Sequence, residues 1–167
     1  MAYVDFYSDL HTSTKRDYIG RVVSDDKAEC AFVAKQYGAD YWDGARKYGY
    51  GGYKYDGRWL PVAKKIAAHY NLQPGAKILD VGCGKAYLLY EFTQAMEGVE
   101  VKGIDISEYG IANAKDEVKP FLTVGNANSL PYEDNTFDLV YSLTTFHNLK
   151  VYDLRKAFQE VERVGKQ

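Results

Sequence analysis

Nothing constrains the fold of this chain more than residues 77–86. There the apolar run Lys77-Ile78-Leu79-Asp80-Val81 leads directly into Gly82-Cys83-Gly84-Lys85-Ala86. A short apolar run bounded by a turn signal reads as a buried strand. The glycines allow a tight turn and a close approach of the backbone to a ligand. Leu89, Phe92 and Met96 then recur on one face of a helix, whose first turn presents free N–H groups at the end of the strand.

The same alternation repeats on both sides of this unit. Upstream, Pro61 suits a first helical turn, Val62, Ile66 and Tyr70 follow at helical spacing, and Gln73-Pro74-Gly75 ends the element. Downstream, residues 100–106 read as a second strand. A helix follows, capped by Ser107, with Glu108 in its first turn and Ile111, Ala114 and Val118 along one side. Residues 121–124 read as a third strand, residues 126–135 as a loop containing Pro131, and residues 137–142 as a fourth strand. A helix bearing Val151, Leu154, Phe158 and Val161 on one face closes the pattern. Strands alternating with amphipathic helices predict right-handed crossovers, and so a Rossmann-like, mostly parallel sheet with helices on both faces. Ligands in such α/β sheets bind at the carboxyl ends of the strands.

Residues 1–57 differ in character. They begin polar and become dense in tyrosine and glycine from Tyr37 to Tyr55, which reads as a leader followed by a loop. Ser24-Asp25-Asp26 marks a helix start, with Gly38 as its end. The expected organisation is an N-terminal segment, 1–57, and a ligand-binding domain, 58–167. With 46% apolar residues in 167, the chain has enough for a core. A formal net charge of −2 and the lack of any lysine/arginine run argue against a nucleic-acid partner. Met1 to Tyr7 has neither a basic start nor an apolar run, so no membrane association is expected, and a cytoplasmic location is. Cys30 and Cys83, with His11, His69 and His147 scattered, lack the spacing of a metal site or a disulfide framework.

Two residues bear on the ligand. A dinucleotide fingerprint wants glycine or alanine three places after the second glycine of the turn, and this chain has Tyr87. A carboxylate just before the turn, Asp80, would repel a pyrophosphate but suits a ligand carrying an ammonium and a sulfonium.

Asp80-Val81-Gly82-Cys83-Gly84 resembles the glycine-rich first motif of class I S-adenosylmethionine-dependent methyltransferases, and further matches follow in order between Pro61 and Val164. The resemblance implies S-adenosylmethionine as cofactor and S-adenosylhomocysteine as product, held by Asp80, Gly82, Cys83 and Gly84. It places Asp105 on the two ribose hydroxyls and Ile106 against the adenine. Gly125-Asn126-Ala127 is similar to the third motif, with Asn126 and Ala127 at the adenine edge, and residues 137–142, ending on Ser142, are similar to the family's fourth strand. Ala86 stands where the family usually has glycine, and Asn126 where aspartate is common.

The acceptor expected is a small molecule or a sugar-containing metabolite. Methyl transfer from a sulfonium relies chiefly on positioning; if the acceptor is a hydroxyl, His147, just after the fourth strand, is the candidate base. Arg58 is a candidate partner for the methionine carboxylate, and Tyr50 one of the tyrosines that would wall the site from water. The family's sheet normally continues past the fourth strand, whereas this sequence ends at Gln167. The fold is therefore expected to be truncated after the fourth strand and its helix, leaving an edge that favours a homodimer. The alternative function is a cofactor-binding fragment without catalytic activity.

Overall fold

The structure, a computed structural model, describes residues 3–11, 19–20 and 25–166. They fall into two compact units, one up to Arg58 and one from Trp59.

In the first unit, α1 spans Ser8–His11, α2 Lys27–Ala34 and α3 Ala39–Trp42. Asp26 starts α2, its carboxylate accepting from Ala28 N at 2.8 Å and Glu29 N at 3.2 Å; Ser24 lies outside the described residues. The helix stops at Ala34, short of Gly38, which instead precedes α3 as its N-cap. The tyrosine-rich stretch read as a loop is a packed aromatic cluster. Trp42 is buried, Tyr50 stacks on it with centroids 5.0 Å apart, and Tyr41 meets it edge-on at 5.1 Å. Arg46 ties the following turn by donating to the carbonyl of Tyr50 at 2.8 Å. Large flat rings bury much area at low entropic cost, so a glycine-rich segment can order around one tryptophan without regular structure.

The second unit holds the sheet. Helix α4 (Leu60–His69) carries Pro61 in its first turn and buries Val62, Ala63 and Ile66. Then come β1 (Lys77–Val81), α5 (Tyr87–Ala95), β2 (Glu100–Asp105), α6 (Glu108–Ala112), β3 (Leu122–Val124), β4 (Leu139–Tyr141) and α7 (Val151–Val164). All pairings are parallel, in the order β3-β2-β1-β4. The chain thus winds outward from β1 to β3 and returns to the other side of β1. Such a reversal opens a crevice at the carboxyl ends of the strands.

Strand alternation divides the core. Leu79, Val81 and Ile104 join Leu130, Phe137 and Val164 in one buried cluster. On the other face Asp80, Gly103 and Tyr141 are in register, and α5 covers them. Phe92 lies 5.9 Å from the Tyr141 ring, and Leu89 fills the space beside Gly103. Each fully buried side chain of this kind contributes about 2 to 3 kcal/mol.

Several elements are shorter than the apolar pattern predicts, and three show why. Helix α6 ends at Ala112, where the Asn113 side chain turns back to the carbonyl of Tyr109 at 2.9 Å. Ala114 and Val118 are still buried, but from turns. Pro120 keeps Phe121 in a 3-10 turn, so β3 begins at Leu122. Phe137 lies outside β4 and forms a parallel bridge with Gly165, while the Lys166 N–H donates to the Phe137 carbonyl at 2.8 Å. β3 and β4 are the two edge strands of this sheet. No helix among the described residues is long and apolar enough to cross a membrane.

Candidate functional site

The carboxyl ends of β1 and β2 meet at the glycine turn. Gly82 N and Cys83 N both donate to the Ile104 carbonyl, at 2.7 and 3.2 Å. Gly84 N donates to Asp105 Oδ2 at 2.7 Å, and Ser107 N donates to the other carboxylate oxygen at 2.7 Å. Asp105 therefore joins the turn, the end of β2 and the start of α6. Ser107 caps that helix, its hydroxyl accepting from Gly110 N at 2.9 Å. Burial pushes the Asp105 carboxyl above its ordinary range, and the two backbone donors partly offset this.

Gly82 has φ +87°, and a Cβ there would lie 2.0 Å from Thr145 Oγ1. Thr145 thus packs over the turn, and its hydroxyl lies 3.1 Å from the Leu143 carbonyl and 3.3 Å from that of Gly82. Sequence reading missed this residue, because the glycine that makes room for it is 63 positions away.

Asp80 is the penultimate residue of β1, on the face covered by α5. It is 6% exposed, and its Oδ1 has no hydrogen-bond partner among the described residues. Tyr141 stands directly across from it on β4. Burial pushes its carboxyl up to about 8; Tyr141 acts to lower it and the charge of Asp105 to raise it. The buried Cys83 thiol is pushed up by burial and then by the two carboxylates. Lys85, which no sequence signal singles out, is buried within the turn with Nζ 5.9 Å from the Tyr109 ring centroid.

The other candidates are placed as follows. Ile106, the residue directly after β2, is 58% exposed. Asn126 Oδ1 accepts from Asn128 N at 3.2 Å within its own turn, and Ala127 packs on the buried cluster under it. Ser142 donates to the Val81 carbonyl at 2.7 Å, holding the end of β4 against β1. His147 is exposed on a 3-10 turn, Phe146–Asn148, beyond β4. Arg58 pairs with Asp56, and Tyr50 belongs to the aromatic cluster of the first unit.

Residues 79–167 match the family model described as "Methyltransferase domain". The chain is 39% identical over 103 residues to a demethylmenaquinone methyltransferase of Bacillus cytotoxicus, covering 58% of this chain and 43% of that protein. It is 36% identical over 112 residues to squalene methyltransferase 1 of Botryococcus braunii, covering 61% and 28%. Among solved structures, a SAM-dependent methyltransferase from Aquifex aeolicus superposes with a TM-score of 0.52 at 29% identity, over 62% of this chain and 58% of that one. The match with these two curated relatives spans less than half their length.

Proposed function

We propose, on the premise that this chain belongs to the class I S-adenosylmethionine-dependent methyltransferase family, that it binds S-adenosylmethionine at the carboxyl ends of β1 and β2 and serves methyl transfer to a small molecule. The observation that carries the reading is the link from the glycine turn through Gly84 N to Asp105, which holds a part-buried carboxylate at the carboxyl end of β2, within electrostatic reach of buried Asp80 near the end of its neighbour β1. The residues present fit the cofactor. Asp80 keeps a buried oxygen without a hydrogen-bond partner among the described residues, suited to a cationic ligand, and Asp105 lies at the strand end where ribose hydroxyls would donate to its remaining lone pairs. Ile106 offers its exposed side chain to the adenine, and Asn126 and Ala127 lie on the loop beyond β3.

The bound cofactor supplies an electrophilic methyl on a good leaving group. The work of the chain is then to orient it and to exclude water from it. The names of the relatives, for demethylmenaquinone and squalene, favour a small-molecule acceptor. Calorimetry with S-adenosylmethionine and S-adenosylhomocysteine tests binding; no heat with either ligand overturns the reading. Transfer by this chain is a separate proposal. It is tested by mass spectrometry of candidate quinone and isoprenoid acceptors after incubation with the cofactor. In an active preparation, His147→Ala should lower turnover on a hydroxyl acceptor while cofactor affinity stays unchanged.

A further inference from the structure

We propose that Asp80 is the residue through which this site reads the charge of its ligand, keeping its proton while the site holds no cation and releasing it when a sulfonium- and ammonium-bearing ligand binds. The inference rests on the cofactor reading above. Its geometry is that of a carboxyl sealed near the end of β1 with one oxygen lacking any hydrogen-bond partner among the described residues.

Among the described residues, the groups that face it supply no counter-charge. From β4 comes the Tyr141 hydroxyl, from β2 the Asp105 carboxylate, and from the turn the Cys83 thiol. Helix α5 covers this face with Leu89 and Phe92. Lys85, in the same turn, brings its Nζ to the Tyr109 ring. A buried carboxyl with a second carboxylate beside it is more stable with its proton on, because burial and a like charge both disfavour ionisation. Its proton affinity is accordingly raised into the neutral range.

A cation placed beside it reverses that balance. The protonated carboxyl and the cationic ligand go to carboxylate, bound ligand and one proton delivered to solvent. S-adenosylhomocysteine has a neutral thioether in place of the sulfonium and so expels the proton less completely. Selection of cofactor over product should therefore strengthen as pH rises toward 8.

The test is titration calorimetry of the full chain with each ligand at pH 6.5 and 7.5, in buffers of different ionisation enthalpy, for the wild type and Asp80→Asn. At pH 6.5 the ligand's own amine, with an ordinary value of about 8, is almost fully protonated both free and bound, so the difference between the two proteins at that pH isolates Asp80. The expected result is a proton release with S-adenosylmethionine that exceeds that of the variant by up to one proton. Wild-type affinity should also rise by up to tenfold per pH unit relative to the variant. Equal proton counts, or equal affinity in the two proteins, overturn the inference and leave the cofactor reading standing. Absence of any binding by the wild type removes both. An independent check is the ¹³C carboxyl resonance of Asp80 in the ligand-free protein. Titration in the neutral range supports the inference, and a carboxylate already ionised at pH 5 overturns it.

Discussion

Gly84 N donates to Asp105 Oδ2 at 2.7 Å, so the carboxylate proposed to receive the ribose holds the glycine turn against β2. Asp105→Ala should then do two things at once. It should weaken S-adenosylmethionine binding by about 1.5 to 3 kcal/mol, the range for hydrogen bonds to a charged group. It should also lower the melting temperature of the ligand-free protein, because Gly84 and Ser107 lose their acceptor. Asp105→Asn keeps one side-chain oxygen and should recover part of the stability but less of the affinity. Calorimetry and thermal unfolding on the same preparations separate the two effects; unchanged affinity in a folded Asp105→Ala protein contradicts the ribose role.

Asp80 makes the stability of the ligand-free protein depend on pH in the direction opposite to a paired carboxylate. Its folded-state pKa lies above its ordinary value, so between about 3.8 and about 8 the folded protein binds more protons at this group than the unfolded chain. Stability from this source is present at the acid end and is lost as pH rises toward 8, with a slope of up to about 1.4 kcal/mol per pH unit. Asp80→Asn, which stands in for the protonated carboxyl, should gain on the wild type by up to about 1.4 kcal/mol for each pH unit from 5.5 to 8. Urea unfolding of both proteins across pH 5.5 to 8.5 measures this; parallel curves would mean that Asp80 is ionised throughout.

Much of the sheet is legible because its strands run directly into turn or helix-start signals, and the segment Lys77 to Val81 before the glycine turn is β1. The helix after β2 is shorter than its apolar spacing implies for a physical reason: Ala114 and Val118 are as buried as helical spacing requires, but from irregular turns. Of the candidate site, the turn and Asp105 stood out since they are close in sequence to strand ends. What was not legible depends on contacts between distant segments. Thr145 over Gly82 and Tyr141 opposite Asp80 arise only from the position of β4 beside β1. The aromatic cluster around Trp42 has no period for a sequence reading to find.

Ala86, at the place where the family usually has glycine, has φ +54° and ψ +31°, a left-handed conformation that explains the usual residue. A left-handed alanine costs about 1 to 2 kcal/mol. Against that, Ala86→Gly would lose a buried methyl worth about 0.8 kcal/mol and loosen the unfolded chain. The terms nearly cancel, so Ala86→Gly should alter stability by less than about 1 kcal/mol. Ala86→Val should be strongly destabilising, since a β-branched side chain tolerates this conformation poorly. Chemical denaturation of the two variants checks the asymmetry; equal stability of Ala86→Val and Ala86→Gly would show that the turn relaxes out of the left-handed region.

Arg163 holds the loop that carries Asn126 and Ala127. Its guanidinium donates to the carbonyls of Leu130 at 3.0 Å and Tyr132 at 2.7 Å, and to the carboxylates of Asp134 and Glu160 at 2.8 and 2.7 Å. Glu160 in turn accepts from Leu130 N at 2.7 Å, which closes a clasp between α7 and the loop. Arg163→Met preserves the aliphatic stem but leaves both carbonyls without this donor, so stability should fall by about 1 to 3 kcal/mol. Hydrogen exchange at Leu130 N should quicken, because its Glu160 acceptor loses the arginine that orients it. Arg163→Lys should not restore the wild-type value, since one ammonium cannot span four acceptors spread around a planar fork. If the loop positions the adenine edge, cofactor affinity should fall several-fold in both variants, whereas Asp134→Asn, which removes only the charge of an exposed partner, should have little effect. Equal exchange rates at Leu130 in wild type and Arg163→Met would mean that water replaces the clasp without loosening the loop.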